Sequence, residues 1–196
     1  MASPRHLAIA LLLSAVCLSG CVTAPQGNVT PSGPVDPQQL QNWRATGRIG
    51  VSGEGGGGSG SFDWQQRANE SDVQIRGPVG IGSVTLQLRG DPEQPQLRLQ
   101  TGDQVLEADQ ALEELEARLG AAVPAGRLRY WMLGVAAPGE HQWSEPDAQG
   151  ATVLQQDGWR IDYQRYSSEF GARVPVRMQA SSGAAKVRIV IDRWRF

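Results

Sequence analysis

From residue 44 onward most apolar side chains fall at every second position. Arg44 to Ser52 sets Ile49 and Val51 on one face, Ser61 to Gln66 sets Phe62 and Trp64, and Asp72 to Arg76 sets Val73 and Ile75. Ser83 to Arg89 carries Val84, Leu86 and Leu88, Gln96 to Gln100 carries Leu97 and Leu99, and Gln104 to Ala108 reads as one more short strand. The pattern breaks and then resumes in Ala151 to Gln156 and in Trp159, Ile161 and Tyr163, followed by Val176 and Met178 in Pro175 to Ala180. It closes with Val187, Ile189 and Ile191 in Lys186 to Trp194. A strand turns successive side chains to opposite faces, so this alternation predicts half-buried strands in an antiparallel meander. Asp157-Gly158 is a strong two-residue hairpin signal, and Gly53 to Gly60 reads as a glycine loop.

Three stretches depart from period two. Asp36 to Trp43 predicts a short helix, with Asp36 as cap, Pro37 in the first turn and Leu40 and Trp43 as its apolar edge. Asp109 to Leu119 predicts a second, capped by Asp109, turned inward at Leu112, Leu115 and Leu119 and ended by Gly120. Its glutamates 113, 114 and 116 read as a solvated face. Pro124 to Gly134 predicts a third, whose Leu128, Trp131 and Met132 recur at i, i+3 and i+4. An aromatic helix among strands must bury its stripe against a sheet. Spacing alone favours a plug in the core over a cover on a ligand. Strands before and after with helices between give an α+β fold, mostly antiparallel β, with helices on one side of the sheet.

The front of the chain is different. Arg5 and His6 precede an apolar run from Leu7 to Leu18, the size of a signal peptide and too short to span a bilayer. The run ends in Leu18-Ser19-Gly20-Cys21, which resembles a bacterial lipobox, in which the cysteine is acylated and becomes the first residue. Residues 1–20 are then a lipoprotein signal peptide, 21–36 an acylated N-terminus and flexible tether, and 37–196 a single domain. Each buried methylene is worth roughly 0.8 kcal/mol, so several acyl chains on Cys21 make a lasting anchor. The tether, rich in Pro, Gly, Thr, Ser and Gln, could span about 40–50 Å when extended. Val22 follows Cys21 where an aspartate would suggest inner-membrane retention, so by resemblance the address is the outer membrane.

Loss of Arg5 with the signal leaves 17 basic against 20 acidic residues, which argues against nucleic acid. The single lysine, Lys186, follows Ala184-Ala185 and excludes a phosphate-binding P-loop. Cys17 leaves with the signal and Cys21 is acylated, so no thiol nucleophile remains. No His/Cys/Asp/Glu cluster has metal-ligand spacing, and no metal or other cofactor is expected. The strands are shorter than the 9–11 residues of a transmembrane barrel. A hydrolase would have to combine Ser59 with His141, the one histidine left. An enzyme is therefore the minority reading.

Several segments, in their order and with the lipobox, resemble the LolB family of outer-membrane lipoprotein receptors. They are Gly47-Arg48-Ile49-Gly50-Val51, Phe62-Asp63-Trp64, Arg76-Gly77-Pro78-Val79-Gly80, Leu128 to Gly134, Leu154 to Tyr163 and Val187 to Trp194. The resemblance runs from Trp43 to Trp194. It implies an incomplete, half-open β-barrel whose helices cover an apolar cavity. It implies a monomer that accepts acylated lipoproteins from a LolA-type periplasmic carrier and releases them into the phospholipid of the outer membrane. The Pro124–Gly134 helix becomes a lid. The acyl dock is then Ile49, Val51, Phe62, Trp64, Val73, Ile75, Val84, Leu86, Leu88, Leu97, Leu99, Leu128, Trp131, Met132, Trp159, Ile161, Tyr163, Met178, Ile189 and Ile191. In the family an exposed aliphatic residue in a Pro-Leu-Gly turn is associated with membrane insertion. Here Val79 takes the leucine's place, and the following Ile81 shares the role. The alternative is a structural outer-membrane lipoprotein with a solid core.

Overall fold

The computed structural model describes residues 36–196 apart from 55, 78–81, 92–93, 120–121 and 123. Among the described residues eleven strands form one antiparallel sheet. They are β1 (Asn42–Gly53), β2 (Gly56–Arg67), β3 (Glu70–Arg76), β4 (Ser83–Arg89), β5 (Gln96–Thr101), β6 (Gln104–Glu107), β7 (Gln142–Trp143), β8 (Thr152–Gln156), β9 (Trp159–Ser167), β10 (Val174–Ser182) and β11 (Ala185–Arg195). The order β6-β5-β4-β3-β2-β1-β11-β10-β9-β8-β7 pairs each strand with its chain neighbour, except that the first strand lies against the last at the centre. Short strands β6 and β7 end the sheet without pairing to each other, so the barrel is open. Between them come α1 (Ala108–Leu119), a 3-10 turn (Ala125–Arg127) and α2 (Leu128–Leu133), packed on the apolar face.

That face carries the alternating residues. Trp43, Ala45, Phe62, Trp64, Val73, Leu86, Leu88, Leu97 and Leu99 are buried from one half, and Leu154, Trp159, Ile161, Tyr163, Val176, Met178, Ile191 and Trp194 from the other. Strict alternation would put Ile191 and Trp194, three apart, on opposite faces. A bulge reconciles them: Thr46 pairs with Arg193 while Gly47 pairs with Ile191, which leaves Asp192 as the extra residue. Gly47 makes the bulge possible, since a Cβ there would lie 2.1 Å from the Val190 carbonyl oxygen.

Five expectations are corrected. The strands are not all short: β1 and β2 run twelve residues each and β11 eleven, because the hydrogen-bonded ladder continues past the apolar positions into polar and glycine residues. The helix over Asp36–Trp43 shrinks to a three-residue 3-10 turn, Pro37–Gln39, capped by Asp36 Oδ1 accepting from Gln38 N at 2.9 Å. Trp43 belongs to β1, because burying a large ring on the sheet outweighs completing a helix of two turns. The glycine loop is mostly strand: Gly56–Gly60 pair with Ile49–Gly53, as glycine backbones hydrogen-bond in a ladder like any other. Asp109 is not the cap of α1 but lies in its first turn, after Ala108 at φ 49. The Pro124–Gly134 helix is split, with Pro124 capping the 3-10 turn and only six residues α-helical. Gly134 ends α2 as expected, left-handed at φ 75, its N–H and that of Val135 bonding back to the last turn. Leu112 and Leu115 pack inward, whereas the side chain of Leu119 and residue Gly120 lie outside the described set.

Candidate functional site

The inner face beneath α2 is where the expected dock residues converge. Trp131 and Met132 are each 2% exposed, Leu99 1%, and Ile161 and Tyr163 0%. Phe62, Trp64, Val73, Leu86, Leu88, Leu97, Trp159, Met178 and Ile191 are also buried. Ile49, Val51, Ile75, Val84, Leu128 and Ile189 are half-buried. The rings of Trp131 and Trp159 lie 6.3 Å apart, and Tyr163 lies between Trp143 at 5.7 Å and Tyr166 at 5.8 Å. In this conformation these side chains pack on one another.

Polar groups fasten α2 to that surface. Gln156, at the end of β8, is buried, and its Oε1 accepts from Trp131 Nε1 at 2.9 Å and Ala137 N at 3.0 Å. Its Nε2 donates to the Ala137 oxygen at 2.8 Å. Tyr163 Oη donates to the Trp131 oxygen at 2.9 Å. Burial pushes the Tyr163 phenol well above its ordinary value, and the neighbouring Tyr166 adds to the shift. At the margins Arg127 Nε bonds Asp157 Oδ2 at 2.9 Å, and Arg129 donates at 3.0 Å to the Ala68 oxygen and to Asn69 Oδ1. The helix is thus tied to hairpin turns of both halves of the sheet.

A second aromatic group lies at the centre of the sheet, with Trp43 5.3 Å from both Trp64 and Trp194. Trp64 Nε1 donates to the buried Gln66 at 3.3 Å and Trp194 Nε1 to the Pro175 oxygen at 2.9 Å. Trp43 Nε1 has no partner among the described residues. Sequence reading missed Trp43, Trp194, Gln66 and Gln156. The tryptophans were visible as odd-numbered and bulge-shifted members of the pattern. The glutamines carried no signal, being polar residues on an apolar face.

Two clefts border described residues. The larger, about 900 Å³, lies among polar groups at the β8–β9 and β10–β11 turns, and Trp159 is the one expected dock residue on its wall. The smaller, about 120 Å³, is bordered by Arg44, Thr46, Arg193 and Arg195 on the outer face. Five strands lie between Ser59 on β2 and the strand that follows exposed His141, β7, which gives the hydrolase reading no assembled pair. The His141 ring instead bonds the Gly139 oxygen through Nδ1 at 2.9 Å. Cys21, Val79 and Ile81 lie outside the described residues.

A family model described as outer membrane lipoprotein LolB matches residues 41–194, all of the sheet but the last residue of β11 together with α1 and α2. The chain belongs to the LolB family. It is 35% identical over 190 residues to an outer-membrane lipoprotein LolB of Alkalilimnicola ehrlichii, covering 93% of each chain. It is 32% identical over 198 residues to that of Nitrosococcus oceani, covering 94% of this chain and 95% of the other. A solved structure of a DUF1329 family protein from Desulfovibrio piger aligns over 82% of this chain and 87% of its own, at TM-score 0.49 and 9% identity. LolB membership makes the chain an outer-membrane lipoprotein, lipid-anchored and concerned with lipoprotein localisation.

Proposed function

We propose that this LolB-family chain accepts acylated lipoproteins from a LolA-type periplasmic carrier and passes them into outer-membrane phospholipid. It holds the acyl chains on the inner face of the sheet while α2 is displaced. Cys21 anchors the domain, and Val79 and Ile81 are the residues that meet the bilayer. The domain works as a monomer and performs no bond chemistry.

The observation that carries this reading is the fastening of α2. The surface under it is apolar, and the six-residue helix is held there by burial of Trp131, Met132 and Leu133 and by a handful of hydrogen bonds centred on Gln156 and Tyr163. So short a helix has little stability of its own, so it can leave as a unit while the eleven-stranded ladder keeps its register. An acyl chain of about 16 carbons gains roughly 13 kcal/mol on full burial at 0.8 per methylene, enough to displace such a cover. With no nucleotide motif in the sequence, transfer runs downhill from carrier to receptor to bilayer.

The solid-core scaffold is the second reading, favoured by the mutual packing of the dock residues. The two separate on one experiment. Full-length Cys21→Ser protein, which cannot be acylated, is titrated with a palmitoylated peptide while amide exchange in 128–135 is followed. The transfer reading expects saturable binding that deprotects α2. Absence of saturable binding, with α2 as protected as before, supports the scaffold and overturns the proposal.

A further inference from the structure

The outer face of the central strand pair carries charge that the acyl-binding reading does not use. In the β1–β11 register Arg44 stands opposite Arg195 and Thr46 opposite Arg193. Like charges directly opposite on antiparallel strands destabilise the pair. Three guanidinium side chains nonetheless border one cleft of about 120 Å³. Asp63 answers Arg44 through Oδ1 and Oδ2. Its carboxyl is held below the usual range first by the bond from Arg44, with Arg76 and Arg195 adding to the pull. No described carboxylate is ion-paired with Arg193 or Arg195. The cluster keeps an excess of two positive charges.

The surroundings extend this. β1 and β11 together bear Arg44, Arg48, Lys186, Arg188, Arg193 and Arg195, all exposed, against the single acid Asp192, although the chain as a whole is at −2. Arg44 also lies only 23 residues after Cys21, close along the chain to the anchor.

We propose that the Arg44–Arg193–Arg195 cleft binds the phosphate of a phospholipid headgroup in the leaflet that holds the lipid anchor, laying the outer face of β1 and β11 on the membrane. Arginine forks match phosphate oxygens in pairs, and basic residues near an anionic surface attract it over about a Debye length. The cleft rests on the reading that the domain works at that leaflet, and not on acyl binding.

The test uses full-length Cys21→Ser protein sedimented with vesicles of phosphatidylethanolamine and phosphatidylglycerol. Arg193→Gln/Arg195→Gln weakens vesicle binding about tenfold, with its thermal melt and its capture of palmitoylated peptide unchanged. Lys186→Gln/Arg188→Gln removes the same charge at the other end of β11 and costs less than about threefold. Inorganic phosphate competes better than chloride at matched ionic strength. Equal losses in the two double variants would mean diffuse attraction and overturn the site. Phosphate binding without vesicle binding would mean a free-anion site and overturn the lipid assignment. If the glutamine pair fails to fold, Arg193→Lys/Arg195→Lys keeps the charge but loses the fork. It should then abolish the preference for phosphate over chloride, and a retained preference counts against the cleft. Failure of wild-type peptide capture would overturn the acyl reading and leave the vesicle result readable.

Discussion

Gln156→Met is the perturbation that asks most of α2. Methionine keeps the length of the side chain and loses its polar groups, so the change leaves no large cavity. Three bonds vanish together: from Trp131 Nε1 at 2.9 Å, from Ala137 N at 3.0 Å, and to the Ala137 oxygen at 2.8 Å. A buried polar group left without its partner costs about 1–3 kcal/mol. With some relief from water entering beside Ala137, the closed position of α2 should lose roughly 3 kcal/mol. That cost falls on the closed cover and much less on the strand ladder. Since 1.4 kcal/mol is a factor of ten, the open population rises by about 100-fold. A ligand that binds only the open form gains up to the same factor in apparent affinity. Amide exchange over 128–135 and titration with a palmitoylated peptide measure both quantities. If exchange accelerates uniformly across the sheet and the affinity is unchanged or reduced, α2 is a structural plug and the reasoning fails.

The other predictions concern backbone and burial. Gly134→Ala puts a Cβ 2.8 Å from Pro175 Cγ at a residue with φ 75, so the melt should show a loss of about 2 kcal/mol, with α2 frayed at its end in exchange. Gly47→Ala drives a Cβ into the Val190 carbonyl and should cost about 3 kcal/mol or more in urea unfolding, through the β1–β11 bulge. Tyr163→Phe loses the bond to the Trp131 oxygen, about 1 kcal/mol at neutral pH. Because burial raises the folded phenol well above 10, its contribution is complete below the ordinary tyrosine value and is lost as pH rises toward the folded one. Stability of wild type and variant should therefore converge above about pH 10 in alkaline unfolding.

Much of this architecture was legible in residue spacing. Strand β4 falls where Val84, Leu86 and Leu88 place it, and the Asp157-Gly158 turn joins β8 to β9 with both residues at positive φ. The places where reading failed share a cause, a local signal overruled by tertiary pairing. Asp36-Pro37 starts a helix, but Trp43 gains more on the sheet, and the run of glycines looks like a loop until Ile49–Gly53 pair with it. Sheet order was not readable, because the β1–β11 contact joins residues more than a hundred apart in the chain. At the site the apolar residues were visible and the fastenings were not. Gln156 matters through three bonds to residues 131 and 137, and nothing in its own neighbourhood announces them.

For transfer, fatty chains must reach the surface that Trp131 of α2 now covers, beside Trp159 of β9. The direct measurement is tryptophan fluorescence of Cys21→Ser protein titrated with a peptide bearing a brominated palmitoyl chain, which quenches only on contact. Saturable quenching that Trp131→Phe and Trp159→Phe each diminish is the predicted result. Quenching that is absent, or that only Trp143→Phe diminishes at its exposed position, would contradict it.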